Sequence, residues 1–73
     1  MKDKQLIQEK LRLAEKLYKV RIELGIKQLD LQNEGIISQS HLSKIENAEI
    51  NVSAIMLNIL AKRYKKDISY FFE

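Results

Sequence analysis

The sequence has 73 residues, of which 32% are charged and 45% hydrophobic, with no Cys, no Pro and only two Gly. A chain of this length forms at most one small domain with a thin core, so residues 1–73 are expected to be a single domain. Without Cys there is no disulfide framework or thiolate metal site, and the single histidine, His41, cannot build a histidine cluster. We therefore expect no metal, no cofactor and no enzymatic activity.

The distribution of charge indicates the class of partner and the compartment. The net charge of +3 favours nucleic acid modestly. Basic residues concentrate in residues 1–22 and 61–73, on either side of an acidic centre at residues 23–60 that has five acidic and two basic side chains, a net −3. The N-terminus is too charged for a signal peptide, and no apolar run approaches the ~18 residues of a membrane span. We expect a soluble, cytoplasmic protein without a membrane partner.

Two apolar stripes predict a long first helix over residues 3–24. At about 100° per residue, one arc is expected to be the core stripe, formed by Leu6, Leu13, Leu17, Val20 and Leu24. The other arc, called here the second stripe, contains Ile7, Leu11, Ala14, Tyr18 and Ile22. Gly25 follows the last periodic residue and is expected to end the helix in the left-handed conformation.

Two short helices separated by a tight turn are predicted next. The first spans residues 28 to about 34, and Ser38 is expected to cap a second that runs to about Asn47. These are the proportions of a helix-turn-helix at about residues 28–47, whose second helix is narrow enough to enter the DNA major groove.

The rest of the chain predicts a fourth helix and a final helical turn. The fourth helix covers about residues 52–64, with Asn51 or Ser53 as its cap. Asp67 is expected to cap the final turn at residues 68–72. The predicted fold is therefore a compact all-α domain of five helices.

The stretch RIELGIKQLDLQNEGIISQSHLSKIENA resembles the helix-turn-helix of the Cro/phage-repressor family, also called the XRE family. In that family an Arg near the end of helix 1 pairs with a Glu at the end of the recognition helix, and Arg21 and Glu46 occupy those positions. The other matching positions are Gly25, Ile26, Gln28, Leu31, Ser38, Gln39, Ser40, Leu42, Ser43 and Ile45. The resemblance implies a phage-repressor-like fold and double-stranded DNA as the partner.

The sequence departs from the family pattern in helix 2, in the turn and after the recognition helix. Gln32 stands where helix 2 usually has a small Ala, the turn glycine is displaced to Gly35, and Ala48 replaces the Gly that follows the motif. The segment GIISQSHLSKIEN, followed by a helix and then by KKDISYFFE, looks most like the N-terminal domains of Rgg-type and PlcR-type regulators. In those proteins a peptide-sensing helical-repeat domain follows, so the resemblance implies an isolated DNA-binding domain whose C-terminal sensor domain is missing here. The alternative is a small stand-alone repressor.

Eight residues are candidate DNA contacts. Gln39 and Ser40 stand in the first turn of the recognition helix, and a Gln carboxamide matches adenine N6 and N7. Gln28 is expected to help bind a phosphate at the start of its helix, and Lys44 to contact another. The remaining candidates are Ser38, His41, Ser43 and Asn47. The competing interpretation of each is an ordinary solvated side chain, and for Arg21 and Glu46 we expect a purely structural role.

Two further groups of residues have alternative interpretations. The densest basic run is either a phosphate-contacting surface or a solvated face: Lys62, Arg63, Lys65 and Lys66. The second stripe, with Tyr70, Phe71 and Phe72, exceeds the apolar surface that so small a core needs. Either a partner covers part of it, namely a second copy or the missing sensor domain, or helices 4 and 5 wrap it.

These observations favour sequence-specific binding of double-stranded DNA by a transcriptional regulator, or by the DNA-binding domain of one, with residues 38–47 as the recognition helix. The alternative is a helical protein-interaction module, antitoxin-like or accessory, that does not read DNA. The acidic centre at residues 23–60 is the best support for that alternative.

Overall fold

The computed structural model describes residues 2–73, with the side chains of residues 6–73, and every regular element in that range is helical. The four α-helices are α1 (Lys2–Glu23), α2 (Gln28–Asn33), α3 (Gln39–Glu46) and α4 (Ala54–Arg63). The prediction of five helices is wrong by one, because Ile68–Phe72 forms a short 3₁₀-helix, η1. Its first turn closes by a bond from the Tyr70 N–H to the Asp67 carbonyl, 3.0 Å, which is 3₁₀ spacing.

Side chains cap the starts of three of these elements. The Ser38 hydroxyl accepts the His41 N–H at 3.1 Å before α3, and the Ser53 hydroxyl accepts the Met56 N–H at 3.0 Å before α4. Asp67 accepts the Ser69 N–H at 2.9 Å, which lowers the pKa of its carboxyl. Each cap satisfies an N–H that has no acceptor within its own helix. Ser53, rather than Asn51, is therefore the cap of α4.

All four α-helices end in the same way, with one residue in the left-handed conformation after the last turn. At the end of α1, the Gly25 N–H reaches the Ile22 carbonyl at 3.0 Å and the Ile26 N–H reaches the Arg21 carbonyl at 3.1 Å, which is a Schellman motif. The φ angles of the four left-handed residues are +70° for Gly25, +76° for Gly35, +60° for Ala48 and +58° for Lys65. For Ala48 and Lys65 this conformation costs about 1–2 kcal/mol that a glycine avoids.

The core lies between the C-terminal half of α1 and the other helices. Leu17, Leu31, Leu42 and Leu60 are completely buried, one from each α-helix. The other members of this cluster are Val20, Ile37, Ile45, Leu57, Ala61, Tyr64 and Phe71. Burial of a Leu or Ile side chain stabilises the fold by about 1.5–3 kcal/mol relative to exposure, so this cluster fixes α3 against α1 and α2.

The predicted core stripe of α1 is correct only in its middle. Leu17 and Val20 are buried and Leu13 is half-buried, but Leu6 and Leu24 are 67% and 48% exposed. Leu6 lies near the N-terminal end of α1, where it lines an open groove with Val52 and Phe72. Leu24 follows the last helical residue, Glu23, so its position on a helical wheel no longer predicts where it points.

The second stripe is not wrapped by α4 and η1. Ile7, Leu11, Tyr18 and Ile22 are 48–57% exposed, and only Ala14 in this stripe is buried. The interpretation in which the last two elements cover the stripe is therefore wrong.

Lys16 holds η1 against α1. Its Nζ donates to the carbonyls of Tyr70 at 2.9 Å and Glu73 at 2.6 Å, and it lies 5.0 Å from the centre of the Tyr70 ring. Phe71 is buried in the core, whereas Phe72 is 63% exposed and lines a groove with Leu6 of α1. No helix in the described residues has the length and apolar character needed to cross a membrane.

Candidate nucleic-acid interface

One face of α3 is buried and the opposite face is open. Leu42 and Ile45 are buried against the other helices. Apart from the half-buried Ser43 and the buried side chain of Glu46, the polar residues on and next to this helix are exposed: Ser38, Gln39, Ser40, His41, Lys44 and Asn47. The helix thus presents an uninterrupted polar surface while its apolar side chains hold it in place.

Two side chains from outside α3 hold the backbone of its first turn. The Ser38 hydroxyl accepts the His41 N–H. The Oε1 atom of Gln32, in α2, accepts the Gln39 N–H at 2.8 Å. Sequence analysis noted Gln32 only as a departure from the family pattern. No local spacing rule predicts this contact, because it crosses the turn between two helices.

A buried ion pair fixes the other end of α3. Arg21 Nε lies 2.7 Å from Glu46 Oε2, and Arg21 Nη2 donates to Glu46 Oε1 at 2.9 Å. The two side chains are only 7% and 3% exposed, and Arg21 Nη1 also donates to the Ile26 carbonyl at 2.8 Å. The hydrogen bonds to Glu46 raise the pKa of Arg21, against the opposing effect of burial. The pair expected from the family resemblance thus joins α1 to the end of α3.

Gln28 joins this network from the first position of α2. Its Nε2 donates to Glu46 Oε1 at 2.9 Å, so the carboxylate is bound by side chains from both α1 and α2. One N–H of the Gln28 carboxamide is therefore used inside the protein. The Asp30 N–H is bound to the Lys27 carbonyl at 3.0 Å, so the second N–H of the Gln28 carboxamide and the first backbone amides of α2 are the groups left for a phosphate.

Tyr64 lies next to the ion pair in the core. Burial, and then the charge of Glu46, raise its pKa to about 12, so the phenol is neutral at physiological pH. Its buried hydroxyl has no hydrogen-bond partner among the described residues. Tyr64 is the C-terminal cap of α4, and nothing in the local sequence indicates its proximity to Glu46.

Ser43 and Asn47 meet at the C-terminal end of the recognition helix. Asn47 Nδ2 donates to the Ser43 hydroxyl at 3.3 Å. Asn47 also borders a shallow groove formed with Leu11, Tyr18 and Ala48. The end of α3 is therefore next to the exposed second stripe of α1.

The basic run at the end of α4 is divided among several contacts. Arg63 forms two hydrogen bonds with Glu34, Nε to Oε1 at 2.7 Å and Nη2 to Oε2 at 2.8 Å. These bonds lower the pKa of Glu34 and raise that of Arg63. Lys66 lies 4.9 Å from the centre of the Tyr70 ring. Two of the four cations, Arg63 and Lys66, thus contact other side chains of the protein.

The helix-turn-helix family model HTH_3, which is of the XRE type, matches residues 17–71, more than half of the chain. The chain belongs to this family. Its members are DNA-binding regulatory domains and are not typically enzymes. Comparison with curated proteins and with solved structures found no match. The family match covers the packed half of α1, the helix-turn-helix, α4 and most of η1, and it begins after the exposed first part of α1.

Proposed function

We propose that this protein is a cytoplasmic transcriptional regulator, or the DNA-binding domain of one, that binds specific sequences by inserting α3 into the major groove. The supporting observation is a helix with an open polar face and fixed ends: Leu42 and Ile45 hold its apolar side, and Glu46 is bound to α1 and α2. The major groove of B-DNA, about 12 Å wide, admits one α-helix. A rigidly held helix can present the same side chains to successive base edges.

We assign base reading to the first turn of α3. The Gln39 carboxamide has the paired donor and acceptor that adenine N6 and N7 require. Ser40, next to it, offers a hydroxyl that suits several bases. Both side chains are exposed, and both follow the cap at Ser38. His41, also exposed, contacts a base or the adjacent phosphate.

Phosphate contacts supply most of the affinity. Lys44 is the exposed cation of α3, and the paired Ser43 and Asn47 lie at the end of the same helix. The first turn of α2, beginning at Gln28, offers backbone N–H groups to an anion. Because so few charges are involved, a single domain is expected to bind DNA weakly.

The ion pairs weaken the argument for an interaction module that does not bind DNA. The acidic centre, residues 23–60, has a formal charge of −3. Two of its carboxylates, Glu34 and Glu46, are neutralised by Arg63 and Arg21, which lie outside that segment. The charge that faces DNA is therefore less negative than the linear sequence indicates.

A protein partner is supported by the exposed second stripe. We propose that a second copy of the chain covers it, since a dimer on two half-sites about 34 Å apart would compensate for weak binding by one domain. A C-terminal sensor domain of the Rgg or PlcR kind is the other candidate for this surface. Sedimentation over a range of concentrations separates the two: a dimer raises the mass from 8.6 kDa toward twice that value. A mass that stays at 8.6 kDa at every concentration contradicts the dimer.

Selection of bound duplexes from a random pool, at near-physiological salt, tests the main proposal. Native protein is expected to enrich a defined motif, and Gln39→Ala is expected to enrich a weaker or broader one. Asn33→Ala, a change to an exposed amide in α2, is the matched control and should enrich the native motif. Folded native protein that enriches no sequence would instead favour the interaction module.

A further inference from the structure

One hydrogen bond at the interface has no part in the roles assigned so far. Gln32 Oε1 accepts the backbone N–H of Gln39 at 2.8 Å. Gln39 is the first residue of α3 and the one to which we assign base reading. The contact therefore reaches from α2 to the backbone of the base-reading residue.

We propose that Gln32 is a positioning residue for sequence recognition, which holds Gln39 in the orientation that sets the base preference. This inference rests on the proposed function, since it requires that Gln39 read a base pair. It adds to that function a residue outside the recognition helix that determines specificity.

The position of Gln39 in its helix explains why such a contact matters. The first residues of an α-helix have N–H groups without an intrahelical acceptor, and short helices fray from their ends. α3 has only eight residues. The Ser38 hydroxyl holds the N–H of His41, but it does not hold that of Gln39. Gln32 holds the first N–H of the helix, and Ser38 holds the third.

Base reading by a carboxamide is sensitive to small displacements. Both of its hydrogen bonds to adenine require donor–acceptor distances near 3 Å and good alignment, so a modest rotation of the Gln39 backbone breaks one of them. The Gln32 side chain carries its acceptor to this N–H across the turn between α2 and α3. A small residue at position 32, as in the family pattern, leaves the N–H free.

The Gln32 contact also limits what the Gln39 backbone N–H can bind. Its Oε1 is bound to Gln39, and its Nε2, on the same carboxamide, has no acceptor among the described residues. Gln32 is exposed, as is Gln39. Because the Gln39 N–H is already bound, a phosphate cannot use it without displacing Gln32. The contact thus favours base reading over phosphate binding at this position.

The test compares the preference for one base pair among matched variants. The probes are two duplexes. One is the duplex selected by native protein, and the other differs from it only at the base pair that Gln39→Ala no longer distinguishes. The measured quantity is the ratio of the two dissociation constants. We expect Gln39→Ala to lower this ratio about tenfold and Gln32→Ala to lower it at least about threefold. Asn33→Ala, the neighbouring amide, should leave it unchanged.

The Gln32→Glu variant separates the effect of the hydrogen bond on base preference from the effect of charge on affinity. A carboxylate oxygen can accept the same N–H, so the ratio should stay at its native value. Its negative charge should weaken binding to both duplexes alike. A role limited to folding stability would not produce this split between preference and affinity. Gln32→Met, of similar length but without the acceptor, should lose the preference as Gln32→Ala does, and it replaces that variant if the alanine protein does not fold.

Hydrogen exchange of the Gln39 amide gives a second readout, which needs no DNA. Exchange should be several-fold faster in Gln32→Ala and Gln32→Met than in native protein or Gln32→Glu. If native protein prefers one duplex but folded Gln32→Ala and Gln32→Met keep both the native ratio and the native exchange rate, the positioning role alone is overturned. If native protein shows no preference for any duplex, the proposed function fails, and this role fails with it.

Discussion

The two halves of α1 both carry large apolar side chains, more of them in the C-terminal half, but these side chains have very different surroundings. In the C-terminal half, Leu17 and Val20 are buried and Arg21 is bound to Glu46. In the N-terminal half, Leu6, Ile7 and Leu11 are 53–67% exposed. α1 has 22 residues and so is about 33 Å long, which exceeds the two shorter dimensions of the molecule, 24 and 21 Å. Its N-terminal half is much less buried than its C-terminal half.

The extent of the family match also differs between the two halves. The family match begins at residue 17, within the packed half, so the exposed half lies outside the part that the family model describes. An unpacked helix of about ten residues is marginally stable in water, and its apolar residues need a covering surface. The buried face of the packed half thus serves to place α3. The surface that we propose for a partner is the exposed second stripe, which runs along both halves.

The largest effect is expected from breaking the ion pair of the packed half. Glu46→Ala leaves the buried Arg21 without its partner and should lower the free energy of unfolding by about 3–5 kcal/mol, measured by urea denaturation. DNA affinity should fall as well, because α3 loses its contact with α1. Glu34→Ala is the matched control, since it removes the carboxylate of the exposed pair with Arg63 and should cost far less. Equal losses for the two variants would contradict the structural role of Glu46.

Matched leucine substitutions compare the two halves directly. Leu17→Ala, in the packed half, should lower the free energy of unfolding by about 2–5 kcal/mol because it leaves a cavity. Leu11→Ala, in the exposed half, should change the free energy of unfolding of the monomer by no more than about 0.5 kcal/mol. The Leu11 variant should instead weaken self-association in sedimentation experiments. Self-association identical to that of native protein would exclude Leu11 from the dimer surface.

A smaller effect is expected at Ala48, where the recognition segment meets the second stripe. Ala48→Gly removes the strain of a positive φ, and this gain is partly offset by the greater freedom of glycine in the unfolded chain, for a net stabilisation of at most about 1 kcal/mol. Thermal unfolding measures it. Gly25→Ala, at the matching position after α1, should destabilise the protein. A lower melting temperature for Ala48→Gly would show that the Ala48 methyl group contributes packing that outweighs the strain.

The smallest expected effect is on the salt dependence of DNA binding, and it compares an exposed lysine of α3 with one of the basic run in α4. Lys44→Gln, in α3, should lower the salt slope of DNA binding by about 1. Lys62→Gln, in the basic run of α4, should leave the slope unchanged, because that run contacts Glu34 and η1 through its other members. Titrations at several salt concentrations, with one generic duplex, measure both. A reduced slope for Lys62→Gln would assign the basic run to DNA.

Much of the fold follows from local signals in the sequence. Side-chain caps at Ser38 and Asp67 and the left-handed Gly25 are set by neighbouring residues, so the helix boundaries were predicted to within about two residues. The contact between Arg21 and Glu46 was predicted only from the family resemblance, because local spacing does not relate two residues that are 25 positions apart. Burial was harder to predict: helical spacing cannot distinguish Leu6 from Leu17, since the surroundings of each depend on distant parts of the chain.

The details of the candidate site depend on contacts between helices. Gln28 was expected to point toward a phosphate, yet it donates to Glu46, and Gln32 holds the backbone of Gln39. Both contacts join helices whose relative placement is fixed by core packing. Residue types and local spacing therefore indicate which side chains are available, and the packing of α2 against α3 decides what they bind.

The most direct test of the central claim probes the major groove itself. Each purine of the selected duplex is replaced in turn by its 7-deaza analogue, which removes the N7 acceptor and keeps the base pair. The account predicts that at least one replacement weakens native protein by about fivefold or more, and that the same replacement does not weaken Gln39→Ala. Equal weakening of both proteins at every purine, or no weakening at any, would contradict base reading by Gln39 in the major groove.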